Sequence, residues 1–345
     1  MNNYNLCFAT AFYHSEGEAP NIKKSADIQK KFDVYYQCIV VMFASLRRFY
    51  KEDRMVIFSD ALLPNEYQDF LKYLHVETIV LEKKDIIYVN DLRIQNKFPG
   101  CLFTLDVFNY VASSKFNNDI DLFCLLDSDC IMSHKLAKYP EDLIEKNLIG
   151  GIEINYENDH IVNGQSKNTL HKIYNKLFSK ETNIDNFKYF GGEMYMIPSK
   201  MIKNISDDVE FIFDYLTHQD KLKDNNEFTE EHILTLAFNK NEVYLTDNII
   251  KRIWTADVHT NIDGTEKQYA IFHLPAEKKY FFQNMFMSLK LNKNAFFKIS
   301  DDEYNEMVYK PVYNRINPTL IRRVKIIIKN TGIFFKTSLK KIITK

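Results

Sequence analysis

A short apolar run bounded by acids is the feature that most restricts the fold of this chain. The run is Leu122–Leu126; it follows Asp121 and leads into Asp127-Ser128-Asp129. It is too short for a typical helix, and its unbroken apolar character is typical of a strand buried on both faces of a parallel sheet. In open α/β sheets, ligands bind outside the carboxyl ends of the strands. The pattern therefore predicts a central strand that delivers two carboxylates to a ligand site.

Two acids separated by one residue offer hard oxygen ligands to a divalent cation, Mn2+ or Mg2+, which can also hold a diphosphate. The motif alone is weak, because a second copy, Asp119-Ile120-Asp121, lies at the other end of the same strand. Strand polarity puts that copy on the opposite edge of the sheet, where acids are explained as solvated turn residues. Context therefore assigns the ligand role to Asp127 and Asp129.

Strand and helix patterns alternate in the first part of the chain. Strands are predicted at residues 6–9, 55–58 and 77–81, and an amphipathic helix with an apolar residue every three or four positions runs from Tyr35 to Phe49. This alternation predicts an α/β fold of Rossmann type, with a parallel sheet flanked by helices. Neither G-x-G-x-x-G nor G-x-x-x-x-G-K-[ST] occurs, so a metal and side chains must hold any phosphate.

Composition narrows the class of protein. The 345 residues are 46% apolar and 26% charged, with a net charge of −1, which is ordinary for a globular protein. The five cysteines lack C-x-x-C spacing, which favours free thiols in a reducing compartment over a disulfide framework or a zinc site. The chain start lacks the pattern of a signal peptide, and no apolar run is long enough to span a membrane. We therefore expect a cytoplasmic protein.

The end of the chain differs in charge from the rest. After Glu306 every charged residue is Lys or Arg, and Ile321, Val324, Ile328 and Phe335 can share one face of a helix. A basic amphipathic helix without acids is typical of a segment that lies on an anionic membrane surface. Packing against the body and nucleic-acid binding are the alternatives, and the acidic body disfavours the second. We predict a domain at 1–300 and a basic helical tail at 301–345, with peripheral association at the inner face of the cytoplasmic membrane.

Several aromatic, polar and glycine residues are predicted to bind a nucleotide-sugar. Backbone amides and rings after the first strand can dock a base, cations before the acidic strand can reach phosphates, and paired glycines allow close approach of a backbone to a ligand. Loop packing, ordinary surface cations and a plain turn are the respective alternatives. The predicted binding residues are Thr10, Ala11, Phe12, Tyr13, Asp60, Arg93, Lys97, Asp127, Ser128, Gly191, Gly192 and Lys278.

Carboxylates in the second half of the chain are candidates for catalysis. Glu193 opens an apolar strand, where a carboxylate is costly without a purpose, and Glu230 and Glu231 open a helix after Thr229. Helix capping is a complete structural account of the pair. The alternative is a nucleophile or base delivered to a reacting centre from a rigid helix start. We rank Glu231 first, followed by Glu230 and Glu193.

In the order of these parts, residues 4 to 285 resemble glycosyltransferases of the GT-A fold, most closely the retaining families 8 and 6. This resemblance implies a mixed, mainly parallel sheet flanked by helices. Asp127-Ser128-Asp129 is similar to their D-x-D motif. The segment from Glu230 to Thr235 is similar to the D-Q-D-x-L-N of family 8 and the D-E-S-H-L-N of family 6. His273, with Lys278 after it, is similar to the H-F-x-G-x-x-K-P-W end of family 8.

The resemblance implies roles for these residues. Asp127, Asp129 and His273 would bind Mn2+ or Mg2+, and Lys278 would contact a phosphate. By the family 8 register Glu231 takes the catalytic position, whereas aligning His232 with the family 6 histidine gives that position to Glu230. Families 8 and 6 are retaining, so a retaining mechanism is favoured. Gly191-Gly192-Glu193 is closer to the G-G-E of some inverting galactosyltransferases, so an inverting mechanism stays open.

The implied function is transfer of a sugar from a nucleotide-sugar, with a UDP-sugar favoured, to a glycan or a lipid-linked glycan. Synthesis of a bacterial surface polysaccharide or lipopolysaccharide fits this description, and no nucleic acid is expected as a partner. One alternative is a metal-dependent nucleotidyltransferase, which usually has a Gly-rich basic loop that residues 10–24 do not supply. Another is a catalytically silent carbohydrate-binding or membrane-binding protein on the same fold.

Overall fold

The computed structural model describes residues 4–14, 28–91, 93, 98–113, 115–218, 227–256 and 259–316. The strands are β1 (Leu6–Phe12), β2 (Arg54–Ser59), β3 (Glu77–Val80), β4 (Leu122–Leu126), β5 (Cys130–Met132), β6 (Ile149–Glu153), β7 (Ile161–Val162), β8 (Gln165–Ser166), β9 (Phe190–Pro198), β10 (Val243–Leu245), β11 (Ile250–Arg252), β12 (Thr255–Ala256), β13 (His259–Thr260) and β14 (Ile271–His273). The helices are α1 (Ile28–Phe49), α2 (Asn65–Tyr73), α3 (Phe103–Ser113), α4 (Tyr139–Lys146), α5 (Lys167–Phe178), α6 (Ser199–His218), α7 (Glu230–Phe238), α8 (Gln283–Leu291), α9 (Lys293–Lys298) and α10 (Asp301–Ile316).

The main sheet has seven strands in the order β10-β6-β9-β4-β1-β2-β3. The pairs β4–β1, β1–β2, β2–β3 and β6–β10 are parallel, and β9 runs antiparallel to both β4 and β6. The predicted mixed, mainly parallel sheet flanked by helices is thus confirmed. Because β4 lies in the middle of this sheet, its carboxyl end opens between the two halves of the fold, which is where α/β sheets bind ligands.

Strand β4 is buried on both faces, as its apolar run predicts. Leu122, Cys124 and Leu126 join a core cluster with α1, α2 and α8. Phe123 and Leu125 alternate with them and join a second cluster with α3, α6 and α7. An unbroken apolar run is therefore required here, since both sides of the pleat meet helices rather than water.

A smaller sheet determines what lies beside the end of β4. Its three strands follow the order β11-β14-β5, and β5 begins directly after Asp129. In this sheet His273 pairs with Cys130 on one side and with Arg252 on the other. The pairing carries a histidine from late in the chain to within reach of the two acids.

Helix α10 packs on the body over its first turns. Tyr304, Val308 and Tyr309 are buried, and the Tyr304 hydroxyl donates a hydrogen bond of 2.7 Å to the Met132 carbonyl. The predicted boundary at residue 300 stays a prediction, and the amphipathic residues from Ile321 onward lie outside the described residues. Within the described part of the chain, no helix has the length and apolar content that crossing a membrane requires. All five cysteines are free, as expected.

Candidate active site

A cavity of about 550 Å³ lies at the carboxyl edge of β1 and β4. Such a volume is in the range of small-molecule sites. One wall comes from β1 and α1, another from the β7–β8 hairpin and the start of α7, and the floor from the loop after β4 and the ends of β11 and β14. The lining residues are Ala11, Phe12, Tyr13, Lys31, Phe32, Tyr35, Phe98, Gly100, Cys101, Thr104, Asp127, Ser128, Asp129, Tyr156, Val162, Asn163, Thr229, Glu230, Glu231, Arg252, Trp254, His273, Pro275 and Lys278.

Asp127, Asp129 and His273 form a candidate metal centre on the cavity floor. One ligand atom from each residue lies within 4.8 Å of the other two. His273 Nε2 is 3.4 Å from Asp127 Oδ2 and 3.3 Å from Asp129 Oδ1. Asp127 is half exposed, whereas Asp129 and His273 are buried. Two carboxylates and one imidazole around a gap of this size fit a divalent cation such as Mn2+ or Mg2+ and leave room for other ligands.

The charged groups at this centre stabilise one another's ionised forms. Burial alone would lower the pKa of His273, but Asp129 and Asp127 outweigh it and raise the pKa to about 9. Burial alone would raise the pKa of Asp129, but Lys278 and His273 hold it well below its ordinary value. Lys278 Nζ forms an ion pair with Asp129 Oδ2 inside the same cavity. Lys278, predicted to bind phosphate, and Asp129, a candidate metal ligand, are therefore direct neighbours.

Glu230 and Glu231 lie on the wall of the same cavity, at the start of α7. His232 fixes this helix start: the Thr229 backbone N–H donates to His232 Nδ1 (3.0 Å), and Nε2–H donates to the Val162 carbonyl (3.0 Å). Burial lowers the pKa of His232 to about 4, so the ring is neutral. His232 thus connects α7 to the β7–β8 hairpin and leaves the two glutamates to face the cavity.

Both glutamates have raised pKa values. Burial raises the pKa of Glu230 to about 8, opposed in part by a hydrogen bond with Cys101 and reinforced by the charge of Glu231. Burial raises the pKa of Glu231 to about 7, opposed in part by the hydrogen bond that the Tyr189 hydroxyl donates to Glu231 Oε1. Carboxyl groups that titrate near neutrality are suited to general acid–base work.

The paired glycines allow these carboxylates to approach the sheet. A Cβ added at Gly192 would lie 3.2 Å from Glu230 Oε1 and 3.4 Å from the Tyr195 hydroxyl. A Cβ added at Gly191 would collide with the side chain of Glu193. Within the described structure, neither glycine lines the cavity. Their close approach is thus to carboxylates of the protein, and the predicted contact with a nucleotide-sugar stays a prediction.

Glu193 lies behind the metal centre, away from the cavity lining. Its side chain is 1% exposed and forms an ion pair with Arg252 Nη2. Its Oε1 is 3.6 Å from His273 Nδ1. The Asp127 backbone N–H donates to the Glu193 carbonyl oxygen at 2.9 Å. Glu193 therefore contacts both sides of the centre without reaching the space where a substrate would lie.

Three more predicted binding residues lie outside the cavity lining. Thr10 is fully buried, and its hydroxyl donates to the Leu126 carbonyl at 2.8 Å, which joins the ends of β1 and β4. Asp60 is paired with His14 at 2.6 Å, and Arg93 with Asp91 at 2.5 Å. Lys97 lies outside the described residues. Among the residues that line the described cavity, Thr10, Asp60 and Arg93 are not found, and their predicted roles stay untested.

Several lining residues were not predicted from the sequence. Arg252 ends a strand of three residues, too short to give a pattern, and Trp254 comes two residues later. Tyr156 lies in an irregular segment. Asn163 had a usable signal, because Asn-Gly between two strands is a strong hairpin indicator. Asn163 and Gly164 indeed adopt positive φ angles of 48° and 98° at the tip of the β7–β8 hairpin.

Comparisons with known proteins identify the fold. No protein-family model matches the sequence, and no curated protein matches it either. Among solved structures, the bifunctional glycosyltransferase WbbM in its apo form matches with a TM-score of 0.53 and 12% identity. The alignment covers 90% of this chain and 52% of the WbbM chain, so this chain spans about half the length of that protein.

The galactosyltransferase LgtC matches over nearly its whole length. Its complex with donor and acceptor sugar analogues has a TM-score of 0.50 and 12% identity, covering 82% of this chain and 95% of LgtC. An active-site mutant of LgtC has a TM-score of 0.50 and 13% identity, covering 87% and 99%. The predicted GT-A fold is thus confirmed by structures that are themselves glycosyltransferases.

Proposed function

We propose that this protein is a metal-dependent glycosyltransferase that moves a sugar from a nucleotide-sugar to a glycan or lipid-linked glycan. The observation that carries the proposal is a single cavity with Asp127, Asp129 and His273 on its floor and Glu230 and Glu231 on its wall. This arrangement supplies one side for a diphosphate and another for the reacting sugar. The likeness to WbbM and LgtC supports the same class of reaction.

Asp127, Asp129 and His273 would hold Mn2+ or Mg2+, and Lys278 would contact a phosphate. When bound, the cation supplies Lewis-acid stabilisation of the diphosphate leaving group. Lys278 adds positive charge beside the same oxygens, where a low local dielectric strengthens its effect. Phe12, Tyr13 and Tyr35 give the opposite wall rings against which a base can stack.

Glu231 is our first candidate for the carboxylate that faces the sugar, and Glu230 is the second. Bond breaking at a glycosidic carbon has an oxocarbenium-like transition state, which a nearby carboxylate stabilises or traps. A retaining outcome is favoured by the resemblance of this helix start to families 8 and 6. For the donor we favour a UDP-sugar, and for the product a bacterial surface polysaccharide or lipopolysaccharide.

We further propose that the basic segment after residue 316 holds the protein on an anionic membrane surface. Its cations and apolar residues fit a helix lying in the interface. A lipid-linked acceptor would be presented at such a surface. This part of the proposal is independent of the metal centre and has its own test below.

The proposed reaction is tested by screening nucleotide-sugars with Mn2+ and measuring release of free nucleoside diphosphate. We expect release with at least one donor and its loss, by about 100-fold or more, in Asp129→Asn, because one metal ligand and its charge are removed. Asp119→Asn is the matched control, since Asp119 belongs to the second Asp-x-Asp and is exposed at the opposite end of β4. Full turnover in Asp129→Asn would remove the metal proposal, and release of pyrophosphate would indicate a nucleotidyltransferase.

A further inference from the structure

A metal-binding imidazole needs an acceptor for its second ring nitrogen. The nitrogen that faces the cation must be unprotonated, so the other nitrogen bears the hydrogen, and a carboxylate or carbonyl that accepts it fixes tautomer and ring orientation. In His273 the nitrogen facing Asp127 and Asp129 is Nε2, at 3.4 and 3.3 Å. The hydrogen on a metal-binding His273 therefore belongs on Nδ1.

The group that faces Nδ1 is Glu193. Its Oε1 lies 3.6 Å from Nδ1, just beyond ordinary hydrogen-bond length. Both side chains are buried, and within the described structure His273 Nδ1 has no hydrogen-bond partner. A buried ring N–H left without an acceptor is costly. The carboxylate of Glu193, which faces Nδ1, can accept this hydrogen and so offset the cost.

Glu193 also supports the other side of the centre through its backbone. Its carbonyl oxygen accepts the Asp127 N–H at 2.9 Å and the Cys130 thiol at 3.7 Å. The residue therefore contacts the turn with the two acids and the strand with the histidine. A shift of Glu193 would change the relative position of all three candidate ligands.

Arg252 compensates the buried charge of Glu193. A carboxylate that is 1% exposed needs a counter-charge, and Arg252 Nη2 forms the ion pair. Arg252 pairs with His273 in register between β11 and β14, so the strand pairing that positions the histidine also positions the cation. Its Nη1 donates to the Tyr156 hydroxyl at 3.1 Å.

We propose that Glu193 is a positioning residue for the metal site: it accepts the hydrogen on His273 Nδ1, which leaves Nε2 to face the cation, while Arg252 supplies the counter-charge for Glu193. The assignment rests on the proposed function only in taking Asp127, Asp129 and His273 as the metal ligands. It differs from a catalytic role, because Glu193 is separated from the cavity by the residues it supports.

The test is direct Mn2+ binding by isothermal titration calorimetry on the full chain without donor. Glu193→Gln is expected to weaken Mn2+ binding about 10- to 100-fold, the usual effect of removing such a support. Glu153→Gln is the matched control, because Glu153 is a carboxylate on neighbouring β6 that pairs with Lys188 at 3.2 Å instead. We expect its Mn2+ affinity to equal that of the wild type.

A second measurement separates positioning from catalysis. If Glu193 only positions His273, saturating Mn2+ restores kcat of Glu193→Gln to within a few-fold of the wild type. A loss of kcat that saturating Mn2+ does not restore would overturn the proposal in favour of a catalytic role. Unchanged Mn2+ affinity in a folded Glu193→Gln would overturn it as well.

The remaining outcomes are also decisive. Should Glu193→Gln not fold, the double variant Glu193→Gln/Arg252→Met removes both charges together, and it is expected to fold and to show the same weakened Mn2+ binding. Unchanged Mn2+ affinity in that variant refutes the assignment, and so does a wild type that binds no Mn2+. A wild type that binds Mn2+ but releases no nucleoside diphosphate from any donor refutes the proposed function and leaves the role of Glu193 standing.

Discussion

Glu230 and Glu231 are neighbours in sequence, yet they meet different surroundings at the cavity wall. Glu231 accepts a hydrogen bond from the Tyr189 hydroxyl and feels the charge of Arg252, and both effects oppose the rise in pKa caused by burial. Glu230 Oε2 is buried and has no hydrogen-bond partner within the described structure. With pKa values of about 7 and about 8, Glu231 ionises before Glu230. As the pH rises, Glu231 is therefore the first of the pair to become a carboxylate, and Glu230 keeps its proton longer.

This difference predicts the pH dependence of the reaction. A nucleophile or base must be ionised, so protonation of Glu231 below pH 7 removes it, and kcat/KM should rise with pH through about 7. Glu231→Gln should lower kcat about 10²- to 10⁴-fold, the usual range for a lost acid–base group. The measurement is kcat/KM for donor and acceptor from about pH 5 to about pH 9, in steps of about one pH unit.

Tyr189→Phe tests whether the pH profile reports the ionisation of Glu231. Removing the hydroxyl removes a hydrogen bond that stabilises the Glu231 carboxylate, so the pKa of Glu231 rises and the pH profile should move to higher pH. Binding of Mn2+ should not change, because Tyr189 does not contact the candidate metal ligands in the described structure. A profile that stays in place would assign the titration to another group.

Strand β9 and helix α7 meet at Gly192. A substitution there is expected to affect activity more than stability. A Cβ 3.2 Å from Glu230 Oε1 must displace that carboxylate. We expect Gly192→Ala to lower kcat/KM by about tenfold or more, with a change in unfolding free energy of about 1 kcal/mol or less, because the displaced atom ends a flexible side chain.

Gly150→Ala is the contrasting variant at the same scale. On β6 the added Cβ would lie 2.9 Å from Met196 Cβ and 3.0 Å from Leu143 Cδ1, both in the core. Overpacking of this kind costs about 1–3 kcal/mol. Thermal unfolding and donor turnover are measured for Gly192→Ala and Gly150→Ala. An equal loss of activity in the two variants would contradict a specific role for the contact between Gly192 and Glu230.

Elements with strong local patterns were predicted well, and elements defined by pairing were not. The bounds of β4 follow directly from its apolar run. The amphipathic spacing gives the end of α1 at Phe49, but the helix begins at Ile28, seven residues before the predicted Tyr35. The antiparallel direction of β9 has no local signature, because a buried strand has the same composition in either direction. β5 and β11 have three residues each, so only their pairing with β14 defines them.

The same limit explains which residues of the candidate site were predicted from the sequence. Asp127, Asp129 and His273 lie at strand ends, where position along the chain already suggests a ligand edge. The role of His232 depends on the carbonyl of Val162, and that of Arg252 on its pairing with His273. Both contacts join segments far apart in sequence. Strand ends and the family resemblance therefore predicted the candidate ligands, and neither could predict the long-range contacts around them.

For the molecule as a whole, the charge change near the end of the chain and the packing of α10 occur at different positions. The charge changes after Glu306 and the predicted boundary is at residue 300, whereas Tyr304, Val308 and Tyr309 are buried against the body. Arg48 on α1 adds to this contact through hydrogen bonds to the Phe296 carbonyl (2.9 Å) and to Asp301 (2.8 Å). Packing continues beyond Glu306, after which all charged residues are basic, because it depends on a few large side chains rather than on net charge.

Two truncations separate the packed helix from the basic segment. A chain ending at residue 316 keeps the buried side chains of α10, so its melting temperature and its nucleotide-sugar turnover should match the full chain. It lacks most of the terminal cations, so its fraction bound to anionic liposomes in a sedimentation assay should fall, while neither chain should bind zwitterionic liposomes. A chain ending at residue 300 loses Tyr304, Val308 and Tyr309 and should unfold at lower temperature, because loss of buried aromatic side chains costs about 3–5 kcal/mol each. If the chain ending at 316 binds anionic liposomes as well as the full chain does, membrane attachment by the basic segment is refuted, and the charge at the end of the chain requires another partner.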